Sequence, residues 1–222
     1  MKRCIVFDLD GTLVDSLPGI AEGVRRALAA LHLPSPAPEA VRGMIGQGAR
    51  NLCAQALGYA STEAAPAELL EQMYAGFCAA YPHCWQGAYT RPYPGIPELL
   101  LRLKSAGARV AVLSNKPHEV TLPMVEQLFP EAGFAPIMGY TGRFPRKPAP
   151  DALLHIAAEW GAAPGELTLV GDSLYDARTA QAAGSKLLLV DWGYARVEEL
   201  RALGVPMAHD AEELGALLLP GA

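Results

Sequence analysis

Apolar positions along the chain fall into two kinds of run. Short β-type runs close on polar residues: Cys4–Leu9 on acids, Ala108–Leu113 on Ser114 and Asn115, Leu167–Val170 on Gly171 and Asp172, and Lys186–Val190 on Asp191. A weaker run covers Phe134–Gly139. Between them lie stretches with helical spacing, roughly Gly95–Ala106, Pro117–Leu128, Pro150–Trp160 and Leu174–Ala183, and a final packing helix over Ala211–Leu219. Apolar strands separated by single helices predict an α/β fold, a Rossmann-like parallel sheet covered on both faces. Such sheets bind ligands beyond the carboxyl ends of their strands, which is where the polar residues fall.

The alternation breaks between about Ser16 and Trp85. This segment is rich in Ala, Leu and Glu, and its periodicity predicts helices near Pro18–Leu31, Pro38–Met44, Ala49–Leu57 and Pro66–Tyr81. His32–Pro38 and Gly58–Ala65 punctuate them. The chain is therefore expected to carry an all-helical cap, residues 16–92, inserted after the first strand of a core formed by 1–15 and 93–222. Prolines in Arg91-Pro92-Tyr93-Pro94-Gly95 stop helix and stiffen the return. Two crossings suit a hinge, though ordinary connections look the same.

Composition narrows the function classes. Of 222 residues, 51% are hydrophobic and 18% charged, which excludes intrinsic disorder. Eighteen Lys and Arg against 23 Asp and Glu leave a net charge of −5, without the basic field of a general nucleic-acid binder. Mean hydropathy is +0.15, yet no apolar run approaches the ~18 residues of a membrane span. After Met1-Lys2-Arg3 only four apolar residues precede Asp8, too few for the roughly 7–15 of an export signal. A cytoplasmic protein with reduced thiols is expected. Cys4, Cys53, Cys78 and Cys84 form no C-x-x-C pair and no zinc spacing, and a Cys78–Cys84 disulfide is the alternative. The oligomeric state is left open.

Four segments carry candidate chemistry. In Asp8-Leu9-Asp10-Gly11-Thr12, two carboxylates stand two residues apart at a strand end, where they repel unless a cation or proton intervenes. Ser114-Asn115 before Pro117 is either an anion site at a helix start or a plain N-cap. Lys147, fixed by Pro148 and Pro150, supplies a point charge for a phosphate, with Arg143 and Arg146 as solvated neighbours. Asp172 follows a strand, where burying a carboxylate is expensive without a cation, and Ser173 with Asp176 matches a capping box. Carboxylates without His or Cys suit Mg²⁺ better than Zn²⁺. Together they suit phosphoryl transfer, which needs positioning and charge neutralisation. The scattered histidines form no triad, and Trp85, Trp160 and Trp192 are read as packing anchors.

These four segments, in this order and over nearly the whole chain, resemble the motifs of the haloacid dehalogenase-like hydrolase superfamily. The resemblance implies Asp8 as nucleophile forming an aspartyl-phosphate, and Asp10 as acid for the leaving oxygen and then base for water. It implies Mg²⁺ held by Asp8, the Asp10 carbonyl and Asp172, with Asp176 orienting metal-bound water or Lys147. Gly11, Thr12, Ser114 and Asn115 would hold the phosphate, and Lys147 would offset charge. An acid at Asp10 and the lack of lysine in Ser16–Gly87 disfavour the dehalogenase and phosphonatase branches. The insertion, with Gly43-Met44-Ile45-Gly46-Gln47-Gly48-Ala49-Arg50, is similar to the helical cap of phosphoglycolate phosphatases, where Gln47, Gly48 and Arg50 would meet a substrate carboxylate; a solvated Arg50 in a helix-to-helix turn is equally compatible. The implied activity is a Mg²⁺-dependent phosphatase for a small phosphorylated metabolite, phosphoglycolate first. Hydrolysis of a sugar phosphate, nucleotide or pyrophosphate, a phosphomutase of the same fold, and a non-catalytic binder are the alternatives.

Overall fold

The computed structural model describes residues 3–220; Met1 and Lys2, where an export signal would begin, lie outside them, as do Gly221 and Ala222. The strands in chain order are β1 (Cys4–Phe7), β2 (Val14–Asp15), β3 (Arg91–Pro92), β4 (Arg109–Pro117), β5 (Ile137–Tyr140), β6 (Leu167–Gly171), β7 (Lys186–Val190) and β8 (Met207–Ala208). Six form one sheet in the order β5-β4-β1-β6-β7-β8, with all neighbouring pairs parallel. The expected α/β core is thus present, with β1 inside it. Phe7 pairs with Val112 on one side and Val170 on the other, so the ends of β1 and β6 stay level.

Burial on both faces explains why these strands read as unbroken apolar runs. Cys4, Val6, Ala111, Leu113, Leu167 and Leu169 pack with Leu153, Ile156 and Ala180 from the helices Asp151–Trp160 and Leu174–Ala183. Ile5, Phe7, Val110 and Val112 alternate with them along β1 and β4 and are equally buried.

One boundary differs from expectation in a way that matters. Strand β4 runs on to Pro117, so Ser114 and Asn115 lie in extended backbone and cap no helix; the next helix is His118–Leu128. The cause is long-range. Both ends of the Asn115 amide pair with the backbone of Lys147, and the β4–β5 register shifts between Leu113 and Pro117. The β8 strand and a short helix, Val197–Arg201, carry too few apolar positions to show as a period.

The described residues divide into two compact units, one reaching to Val14 and resuming at Pro92, the other Asp15–Arg91. The second unit is helical: Leu17–Ala30, Pro38–Arg42, Ala49–Ala56 and Ala67–Cys84, with a 3₁₀ turn at Gly87–Tyr89. Val24 and Leu28 of its first helix and Met73 and Phe77 of its longest are buried where these two helices pack. At the two crossings, β2 and β3 form a separate two-stranded sheet. None of the four cysteines forms a disulfide, which removes the Cys78–Cys84 alternative. Among the described residues no helix is long and apolar enough to cross a membrane.

Candidate active site

The carboxyl ends of β1, β4, β6 and β7 and the loop before helix Asp151–Trp160 converge. Lys147, with a side chain 3% exposed, sets its Nζ 2.9 Å from Asp8 Oδ1 and 2.6 Å from Asp176 Oδ1. Asp176 contacts both Ser173 and Lys147. Its Oδ2 accepts the Ser173 N–H at 3.2 Å and the Ser173 hydroxyl at 2.6 Å, capping helix Leu174–Ala183, while Oδ1 faces the lysine. Asp8 Oδ1 accepts the Leu9 N–H at 2.7 Å. Asp172 is 3% exposed; its Oδ1 accepts the Thr12 hydroxyl at 3.1 Å and its Oδ2 the Tyr194 N–H at 2.7 Å. The loop at Gly11 closes over this acid. Gly11 has φ +86°, and a Cβ there would stand 2.3 Å from Asp172 Oδ2, so both conformation and space exclude a side chain.

Asp8, Asp172 and Asp176 each place a carboxylate oxygen within 4.8 Å of the others, all buried. Fully ionised, three carboxylates and the Lys147 ammonium carry 1 − 3 = −2. Burial pushes the Asp8 carboxyl up to about 7, with Lys147 working to lower it and Asp176 to raise it. Burial, then the charges of Asp8 and Asp176, push Asp172 up to about 8. Lys147 is held above its ordinary range: burial lowers it, but Asp176 and Asp8 outweigh that. An oxygen-only donor set short of two positive charges fits a hard divalent cation. The pH dependence of stability follows. Both acids titrate from 3.8 in free form to about 7 and 8 here, so the folded protein holds more protons over that range. Without a cation, their stabilising contribution is full only below the free value of 3.8 and is lost as pH rises from there through about 7 for Asp8 and about 8 for Asp172. Thermal melts of chelated protein should fall across that window, and added Mg²⁺ should flatten the fall; a chelated protein whose melting point rose with pH would contradict the assignment.

Asp10 lies apart from this cluster. Its two oxygens are each 2.8 Å from Lys116 Nζ. The pattern points to one lysine in the site; the structure has two, and they divide the acids. Ser114 is buried, and its Oγ accepts the Lys116 N–H at 3.2 Å. Asn115 donates from Nδ2 to the Lys147 carbonyl at 3.0 Å and accepts the Lys147 N–H on Oδ1 at 2.8 Å, so its side chain clamps two loops together. A cavity of about 180 Å³ opens beside Ser114, Asn115 and Lys147, lined also by His118, Tyr140 and Arg143. Arg143 is exposed over the Phe144 ring, as a solvated residue can be. Arg146 departs from that expectation: it is half-buried, its guanidinium 3.4 Å from the Tyr140 ring centroid, because stacking replaces water on its flat face.

Gln47, Gly48 and Arg50 belong to the helical unit. There Arg50 pairs with Glu71 and lies over the Tyr74 ring, Gln47 bonds Asn51, and Gly48 begins helix Ala49–Ala56 at φ +89°. The Arg50–Glu71 pair is solvent-exposed, so a solvated Arg50 in this turn stays compatible with the structure.

The loop after β7 is the part of the site that the motifs miss. Besides the Tyr194 N–H, Trp192 Nε1 donates to the Thr12 carbonyl at 3.2 Å, so Trp192 steadies the acid loop as well as packing. A Cβ on Gly193 would stand 2.2 Å from Asp172. The signal was positional: Asp191-Trp192-Gly193-Tyr194 follows a buried parallel strand, where such sheets place ligands.

Comparison with known proteins gives a consistent result. A family model for haloacid dehalogenase-like hydrolases matches residues 5–190. The phosphoglycolate phosphatase of Pseudomonas putida is 35% identical over 222 residues, covering 100% of this chain and 80% of that protein. That of Salmonella typhi is 33% identical over 240 residues, covering 98% and 93%. Among solved structures, a protein assigned to the phosphoglycolate phosphatases from Lactobacillus delbrueckii subsp. bulgaricus superposes with a TM-score of 0.90 at 27% identity, covering 99% of this chain and 100% of its own.

Proposed function

This chain belongs to the haloacid dehalogenase-like hydrolase family and is a phosphoric monoester hydrolase, and from that premise we propose that it hydrolyses a small phosphomonoester, phosphoglycolate first, through a phosphorylated Asp8. The observation that carries the proposal is the contact of a buried Lys147 with both Asp8 and Asp176, beside a third buried acid, Asp172. A pure binder has no need of a nucleophile and an acid together, the parts proposed for Asp8 and Asp10. The names of the relatives in Pseudomonas putida and Salmonella typhi supply the substrate.

Asp8, Asp172 and the main-chain carbonyl of Asp10 would hold Mg²⁺, which when bound keeps Asp8 ionised and draws charge from the phosphoryl oxygens. An Asp8 oxygen attacks phosphorus as the bond to the leaving oxygen breaks. The leaving oxygen takes a proton from Asp10. The Asp10 carboxylate then takes a proton from a water that attacks the phosphorus of the aspartyl-phosphate, releasing inorganic phosphate and restoring Asp8. Lys147 neutralises charge where nucleophile and phosphate meet, and Asp176 holds it there. Gly11, Thr12, Ser114 and Asn115 shape the phosphate pocket, the first two through the loop that Thr12 ties to Asp172. Residues 16–92 are the proposed cap, with Gln47, Gly48 and Arg50 as candidates to meet the substrate carboxylate, Arg50 in exchange for its pairing with Glu71.

The test is phosphate release with Mg²⁺ over phosphoglycolate, sugar phosphates, nucleoside monophosphates and pyrophosphate. Phosphoglycolate should give the highest kcat/KM. A sugar phosphate or pyrophosphate that surpassed it would overturn the substrate, and silence on the whole panel would overturn the hydrolase.

A further inference from the structure

We infer that Lys116 is a positioning residue for the acid–base carboxylate of Asp10, an inference that rests on the acid–base role proposed above for Asp10. Lys116 Nζ lies 2.8 Å from both oxygens of Asp10, and the side chains are 4% and 11% exposed. At those exposures the pair is largely shielded from the water and salt that weaken surface ion pairs. A single ammonium centred on both oxygens holds the ionised aspartate in one orientation, and when Asp10 carries the proton it delivers, the other oxygen keeps the contact.

Both partners are anchored from behind. The Lys116 N–H donates to Ser114 Oγ at 3.2 Å, and its carbonyl accepts the Thr121 hydroxyl at 3.3 Å. On the other side, Gly11 N–H donates to the Val14 carbonyl at 2.9 Å, and Asp10 forms a parallel bridge with Val14. The backbones are therefore set, and the remaining freedom of Asp10 lies in its side chain, which Lys116 grips. Lys147 cannot substitute, because its ammonium lies between Asp8 and Asp176. An acid that must meet a leaving oxygen within hydrogen-bond reach loses rate steeply when its orientation is loose.

Leaving-group chemistry separates this role from direct substrate binding and from simple stability. An aryl phosphate such as para-nitrophenyl phosphate departs as a stable phenolate and needs no proton. An alkyl phosphate such as phosphoglycolate does need one. Because kcat/KM reports only the steps to the phosphorylated enzyme, Lys116→Met should lower it about 10- to 100-fold on phosphoglycolate and less than about 3-fold on para-nitrophenyl phosphate. Lys116→Arg, whose fork also spans two oxygens, should restore most of the loss. In the Asp10→Asn background, Lys116→Met should add no more than about 2-fold. Equal losses on both substrates, or full additivity with Asp10→Asn, would overturn the inference. If Lys116→Met does not fold, as judged by its melting transition, Lys116→Gln and Lys116→Arg carry the same comparison. An Asp10→Asn protein with an unchanged alkyl-to-aryl ratio would sink the acid–base role itself. A changed ratio there with an unchanged one in Lys116→Met would sink only the part assigned to Lys116.

Discussion

The Asp8→Asn protein is expected to release phosphate at least about 10⁴-fold more slowly than the wild type while keeping its fold. The amide has the shape of the carboxylate but cannot form the phosphoryl bond. Stability should hold, because Asp8 is a buried acid pushed up to about 7, and a neutral group there is less costly than an anion. Lys147 keeps its second partner, Asp176, at 2.6 Å. Phosphate release at saturating Mg²⁺ and a melting transition on the same sample test both halves. A rate within about tenfold of wild type would mean that water attacks the substrate directly.

Lys147→Met should be the most damaging single change to the fold. It leaves three buried carboxylates without their ammonium, and breaking a buried pair in this way costs about 3–5 kcal/mol. The size should depend on pH. At pH 8 Asp8 and Asp172 would have to ionise unpaired or take up protons against the solvent. At pH 5.5 they are already protonated, since their values lie at about 7 and 8. Urea unfolding should therefore show a wide gap between wild type and Lys147→Met at the higher pH and a narrower one at the lower. Turnover should fall by about 10³-fold or more, the scale of a lost charge-stabilising donor. An unchanged urea midpoint at both pH values would deny Lys147 its place in the charge balance.

What could be read from the chain, and what could not, divides by the range of the interaction. Strands β1, β6 and β7 are legible because burial on both faces demands unbroken apolar runs, and Asp8 and Asp172 stand out because acids follow those runs directly. The capping box of Ser173 and Asp176 is local and is equally visible. The end of β4 is not, because the Asn115 clamp joins residues 32 positions apart. Nor is the grip of Lys116 on Asp10, 106 positions away; the run Ser114-Asn115-Lys116 does not say which acid its ammonium meets. The Tyr194 contact leaves no mark at all, since a backbone N–H is present in every residue except proline. Arg50 with Glu71 joins two helices whose mutual placement no periodicity encodes.

The short pairing of β2 with β3 has a consequence for how this chain is built. Strands paired in a sheet lie about 5 Å apart, so the segment between Asp15 and Arg91 leaves and returns through neighbouring points. Topologically it is a long loop on a small gate. Lengthening such a loop costs little, because closure entropy grows only with the logarithm of its length. The central strands and the acids at their ends would be joined in the same order by a brief turn. The helical segment is thus joined to the core at one place along the chain's path, and the register of β1 with β4 and β6 lies wholly outside it.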